Sequence, residues 1–182
     1  MKARVATAWL SGCSGCHMSF LDMDEKIMEI ADKVDLVYGP LVDIKEFPEN
    51  VDVTFVEGSV NNTDNEKQIR IIRERTRILV ALGDCAVTGN VPTMRNTFKD
   101  NQVLERAYLE KCNHDPQAPS KDVPRLLHHA DPIHSKVKVD LFVPGCPPSA
   151  DLIVHVVSEL LEGRMPVVTS ISRFGNSLKE EA

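Results

Sequence analysis

Cys13 and Cys16 stand in Ser11-Gly12-Cys13-Ser14-Gly15-Cys16-His17, separated by two residues and wrapped in glycine and serine. Two thiolates at that spacing can grip one metal centre from one side, yet they fill only half of a four-ligand site. Two further cysteines sit in turn-like surroundings. Cys85 lies in Leu82-Gly83-Asp84-Cys85-Ala86, and Cys146 in Pro144-Gly145-Cys146-Pro147-Pro148. Glycine beside each thiol permits positive φ and close backbone approach to a bulky inorganic centre. Backbone N–H groups in such turns can hydrogen-bond to sulfur, and a Cys-Pro step recurs beside iron–sulfur ligands. The fifth cysteine, Cys112, stands alone between Lys111 and Asn113 in a polar stretch and is expected to be a free thiol without a ligand role.

The elements that must position these thiols follow from the apolar pattern. Arg4–Leu10, Asp35–Tyr38, Val53–Val56, Arg77–Leu82 and Val139–Val143 are short and apolar, several of them continuous rather than alternating, as expected of strands buried on both faces. Between the first two, Ser19-Phe20-Leu21-Asp22 has the form of a capping box. Phe20, Met23, Ile27, Ala31 and Val34 then recur at helical spacing. A polar helix is expected over Asp64–Thr76, with Ile69 and Ile72 on one face. Another should follow Pro147-Pro148-Ser149, its stripe of Ile153, Val156, Val157, Leu160 and Leu161 ending at Gly163 and Pro166. Gly39–Asp52 reads as a loop.

This alternation predicts a doubly wound α/β domain, a flavodoxin-like parallel sheet of about five strands, spanning residues 1–182 as one cluster-binding unit. In a parallel sheet the carboxyl ends of all strands share one edge. Cys13 and Cys16 follow the first strand, Cys85 the fourth and Cys146 the fifth, so all four are expected on one rim. The proline- and histidine-rich stretch 112–138 reads as a long loop and a candidate docking surface. His128, His129 and His134 within it are expected to be exposed polar residues rather than metal ligands. The tail at 167–182 has weak periodicity and is expected to be ordered by a partner.

Composition narrows the functional classes. The 182 residues carry a formal net charge of −6, with 42% hydrophobic and 26% charged residues, which disfavours a nucleic-acid or anionic-membrane surface. No targeting segment or membrane-spanning run is apparent, so a cytoplasmic location is expected. An odd number of widely spaced cysteines favours metal ligation or redox chemistry over a disulfide framework. Three other readings compete with an iron–sulfur centre. Zinc held by four cysteines usually uses two close pairs. A redox pair at Cys13 and Cys16 would leave Cys85 and Cys146 without a role. Flavin suits the same sheet edge, but no phosphate-cradling glycine loop free of cysteine is present.

At these residues the chain resembles the small subunit of nickel–iron hydrogenases. The match is carried by Gly12-Cys13-Ser14-Gly15-Cys16, Val56-Glu57-Gly58-Ser59-Val60, Gly83-Asp84-Cys85-Ala86 with Gly89-Asn90-Val91-Pro92, and Pro144-Gly145-Cys146-Pro147-Pro148, in order along most of the chain. The resemblance implies that Cys13, Cys16, Cys85 and Cys146 hold one proximal 4Fe-4S cluster, with the nickel–iron site in a separate large subunit. Glu57 looks like the family's acidic residue near the cluster and the subunit interface; a solvated strand-end carboxylate is the alternative. Many members carry a further cysteine- and histidine-rich segment with two more clusters, or a twin-arginine export signal, and neither is expected here. In this the chain is similar to the short small subunits of cytoplasmic, bidirectional NAD-reducing hydrogenases, where a diaphorase module bearing flavin and clusters takes the electrons. His17 stands where other members often have a carboxylate, which argues against a proton-relay role at that position. The related cluster-bearing subunit of NADH:quinone oxidoreductases has two adjacent cysteines, whereas Cys13 and Cys16 are separated.

Overall fold

The structure, a computed structural model, describes residues 2–172. Five strands, β1 (Ala3–Trp9), β2 (Val34–Tyr38), β3 (Val51–Glu57), β5 (Thr76–Leu82) and β7 (Leu141–Val143), form a parallel sheet in the order β2-β1-β3-β5-β7. Two more, β4 (Val60–Asn62) and β6 (Leu126–Asp131), pair antiparallel as a separate ribbon. Counted within the main sheet alone, the order is the flavodoxin-like one expected.

Both faces of the sheet are covered. Helices α1 (Gly15–Leu21), α2 (Lys26–Ala31) and α6 (Ala150–Leu161) close over one face, where Phe55, Val80 and Leu82 meet Met23, Ile153 and Val156. On the other, Ile69 and Ile72 of α3 (Thr63–Arg75) and Ala86 of α4 (Asp84–Thr88) pack against Val56, Leu79 and Ala81. Because both sides of β3 are buried, its buried Thr54 needs a partner, and it shares a 2.7 Å hydroxyl contact with Thr76. Helices α3 and α6 open at side-chain caps. Asn62 accepts from the Asn65 N–H at 2.9 Å to open α3, with Asp64 and Glu66 in its first turn and Arg73 and Arg75 in its last. Ser149 accepts from Leu152 N–H to open α6.

Three local expectations are corrected. Ser19 does not cap a helix: α1 begins at Gly15, so Ser19 lies inside it, and its hydroxyl donates to Pro148 O at 2.5 Å. The stripe from Phe20 to Val34 is not one helix. It breaks after Leu21, with Asp24 at φ +49, and Val34 already belongs to β2. The stretch 112–138 is not loop throughout: β6 and a one-turn 3-10 helix at Ile133–Ser135 lie within it, and Ile133 is fully buried against the α3 side of the sheet. Pairing with β4 supplies the backbone partners that no local pattern in Leu126–Asp131 announces. Between α4 and β6 the chain also forms a 3-10 helix at Val91–Thr97 and α5 (Asp100–Glu105), which continues as a π-helical turn at Arg106–Glu110. Of the tail at 167–182, Val168 is buried in the core beneath α6. Residues 173–182 lie outside the described residues.

Edge strand β7 is short, and a carboxylate just ahead of it adds to its pairing with β5. Asp140 Oδ2 accepts from Arg73 Nη1 at 2.5 Å and from the Leu79 N–H at 2.9 Å. Partial burial alone would raise its pKa, but the Leu79 N–H and the Arg73 guanidinium outweigh that and hold it below the usual carboxylate range. A carboxylate with a depressed native pKa contributes stability that is present above its unfolded value and lost as pH falls through the native one. Asp140→Asn is therefore expected to destabilise the protein by about 2 kcal/mol at neutral pH. The difference from wild type in thermal melts should shrink steadily below about pH 4.

Candidate metal centre

The rim of the sheet is built by connections tied to one another. Cys13 lies in the turn after β1, Cys16 in the first turn of α1, Cys85 in α4 directly after β5, and Cys146 in the turn after β7. Parallel pairing brings these connections to the same edge, as the strand pattern predicts. The turn after β1 is clamped to the turn after β3. Ser11 and Ser59 exchange backbone hydrogen bonds at 3.0 and 2.8 Å, and the Leu10 N–H donates to Glu57 O at 2.9 Å. The turns after β5 and β7 are stitched together: Gly83 N donates to Val143 O at 2.8 Å, Asp84 N to Gly145 O at 2.9 Å, and Gly145 N to Asp84 Oδ1 at 2.7 Å. The Ser19 bond to Pro148 O joins α1 to the Cys146 turn. Asp84 escaped the sequence reading; its position immediately before a cysteine in a Gly-rich turn was the available signal.

The packing around the sulfurs leaves them room that only glycine allows. At Gly83, with φ +81, a Cβ would lie 2.2 Å from Cys16 Sγ. Cys13 and Cys146 are exposed, and Cys16 and Cys85 are partly buried. Burial pushes the Cys16 thiol up, helped by Glu57 and by the Cys85 and Cys13 sulfurs. Burial also raises Cys85, helped by Cys146 and Cys13. Two thiols whose ionisation is opposed in this way, Cys16 and Cys85, would become thiolates most readily beside a positive centre. Among the described residues, no group of three or more His, Cys, Asp or Glu side chains is close enough as it stands to hold a metal ion.

Glu57 is not solvated. It is 2% exposed at the end of β3, and its Oε2 accepts from the His17 backbone N–H at 3.0 Å. The His17 ring stacks edge-on against half-exposed Trp9, with centroids 5.7 Å apart, and its Nδ1 lies 3.3 Å from the same Glu57 oxygen. Among the described residues, neither ring nitrogen of His17 nor Oε1 of Glu57 has a hydrogen-bond partner. Two residues that sequence alone left open are thus a buried polar pair beside Cys16. Cys112 stands apart, its Sγ 2.8 Å from His114 O. The rings of His128 and His129, both exposed on β6, lie with centroids 4.4 Å apart and tilted at 57°, and join no metal set among the described residues. No described helix is long and apolar enough to cross a membrane.

Comparison with known proteins shows the family. The family model described as NADH ubiquinone oxidoreductase, 20 Kd subunit, matches residues 13–160. The chain is 41% identical to the delta subunit of the NAD-reducing hydrogenase HoxS of Cupriavidus necator over 95% of its own length and 86% of the relative's. It is 31% identical to the iron-sulfur subunit of the F420-non-reducing hydrogenase of Archaeoglobus profundus, covering 91% of this chain but only 58% of that protein. A solved structure, an NAD+-reducing [NiFe]-hydrogenase in the H2-reduced state, superposes with a TM-score of 0.87 at 40% identity, over 91% of this chain and 94% of that one. The cysteine-bearing α/β chain described above therefore belongs to the NADH ubiquinone oxidoreductase 20 Kd subunit family, and within it to the small subunits of NiFe hydrogenases.

Proposed function

We propose that the protein is the electron-transfer small subunit of a NiFe hydrogenase, and that Cys13, Cys16, Cys85 and Cys146 hold one proximal 4Fe-4S cluster. A cluster of this kind accepts and returns electrons at a potential set by its thiolates, its hydrogen bonds and its burial. The chain's own residues hold the four thiolates at one rim, and the Asp84–Gly145 and Ser11–Ser59 clamps keep them in register. Electrons pass between a nickel–iron site in a large subunit and a flavin-bearing diaphorase that reduces NAD, and the complex works in the cytoplasm.

One observation supports this reading: the connections that bear the four cysteines follow three strands of one parallel sheet and so leave it at the same edge. The relatives' names support the class of chemistry, since they are an NAD-reducing hydrogenase subunit and an iron-sulfur subunit. Purified anaerobically, the chain should be brown and contain about four irons, with an EPR signal on reduction. Colourless protein with one zinc would end the electron-transfer reading, and yellow protein with flavin fluorescence would replace the cluster with a flavin.

A further inference from the structure

We propose that Asn90 tunes the reduction potential of the centre held at the rim by donating its side-chain amide N–H to the Cys146 sulfur. The inference rests on the reading of Cys146 as a cluster ligand, and it adds a positioning and tuning residue outside the ligand set. The contact is direct. Asn90 Nδ2 lies 3.4 Å from Cys146 Sγ, across 56 residues of sequence. A ligating thiolate has no proton to give, so the amide must present its N–H and not its carbonyl oxygen.

The backbone supplies the second argument. Asn90 adopts φ +39 and ψ −132, a strained region that L-residues rarely occupy. Glycine would take this conformation without that strain, yet an amide-bearing residue stands there. The turn holds it firmly: the Thr93 N–H and hydroxyl both donate to Asn90 O, at 3.1 and 2.6 Å. Gly89 ahead of it has φ +87, and a Cβ there would lie 2.1 Å from Thr93 Cγ2. The side chain is thereby aimed at the sulfur by a rigid turn between α4 and the 3-10 helix at Val91–Thr97.

The physical effect has a definite sign. A hydrogen bond to a ligand sulfur draws charge from it and stabilises the more negative, reduced state, so the donor raises the potential. Removing it should lower the potential. A tenfold change in the one-electron equilibrium is the expected size, about 59 mV.

The test uses the complete complex, purified anaerobically, with redox titration followed by EPR. The signal to follow is the component that Cys85→Ser removes. Asn90→Gly is the first variant, because it deletes the donor while relieving the backbone, so folding is not at risk. Asn90→Ala is the second. The expected result is wild-type iron content in both and a midpoint shifted down by about tenfold in the equilibrium constant. A midpoint equal to wild type in an iron-replete variant overturns the inference. Loss of iron from both variants also overturns it, since Asn90 would then hold the site together rather than tune it. If the wild-type chain itself carries no cluster, the ligand reading fails first, and iron analysis of wild type reports that separately.

Discussion

Serine in place of Cys85 or Cys146 is expected to strip the chain of most of its iron, from about four per chain to below about one, and to abolish the reduced-state EPR signal. A serine hydroxyl keeps its proton where a thiol loses it, and its oxygen is a harder donor than sulfur, so the remaining three thiolates cannot complete the set. The fold should survive. The Cys85 and Cys146 turns are secured without their sulfurs, through Gly83 N to Val143 O at 2.8 Å and the paired Asp84–Gly145 bonds at 2.9 and 2.7 Å. Circular dichroism of the iron-free variants should match that of iron-free wild type. Cys112→Ser is the control, because its sulfur bonds within its own turn, to His114 O, away from the rim. Equal iron loss at Cys112 would sink the assignment of the four rim cysteines.

Gly58→Ala should cost about 2–5 kcal/mol and lower the melting temperature by roughly 10 °C, from the strain of a positive φ and the overpacking it forces. Gly58 has φ +84, and an added Cβ would sit 2.9 Å from both Leu10 C and Ser11 O. These are backbone atoms of the cysteine-bearing loop and cannot rotate aside. The Ser11–Ser59 bridge must open to admit the methyl group, which displaces Cys13. Iron content should therefore fall together with stability. Gly163→Ala separates the two causes, because Gly163 has φ +76 with nothing within 4 Å of its would-be Cβ. That variant should lose only about 1–2 kcal/mol and keep its iron. If Gly58→Ala melts no lower than Gly163→Ala, the clamp between the turns after β1 and β3 has no energetic weight.

The legibility of this chain was uneven, and the reasons are physical. Five apolar runs marked the five main-sheet strands because a sheet buried on both faces favours continuous apolar residues, and the Ile78–Leu82 stretch of β5 is apolar throughout. Asp64–Thr76 read correctly as a helix to within a residue, since its apolar stripe and charged ends act locally. The β4–β6 ribbon escaped. Val60–Asn62 is too short to show a period, and Leu126–Asp131 carries two adjacent histidines, so only their mutual pairing makes strands of them. The break in the first helix escaped too, because Phe20, Met23 and Ile27 keep helical spacing across a turn at Asp22–Glu25 and still face the same core.

The cysteine rim divides along the same line. The sequence by itself determined that Cys13, Cys16, Cys85 and Cys146 follow strands of one parallel sheet, and parallel strands can end only on a shared edge. Which groups surround the sulfurs was decided by tertiary structure alone. Glu57 is buried because β3 is central and His17 closes over its end, and Asn90 reaches Cys146 because a strained turn after α4 points it across the rim. Burial and hydrogen bonding depend on what the remainder of the chain brings within a few ångströms, and no local spacing encodes that.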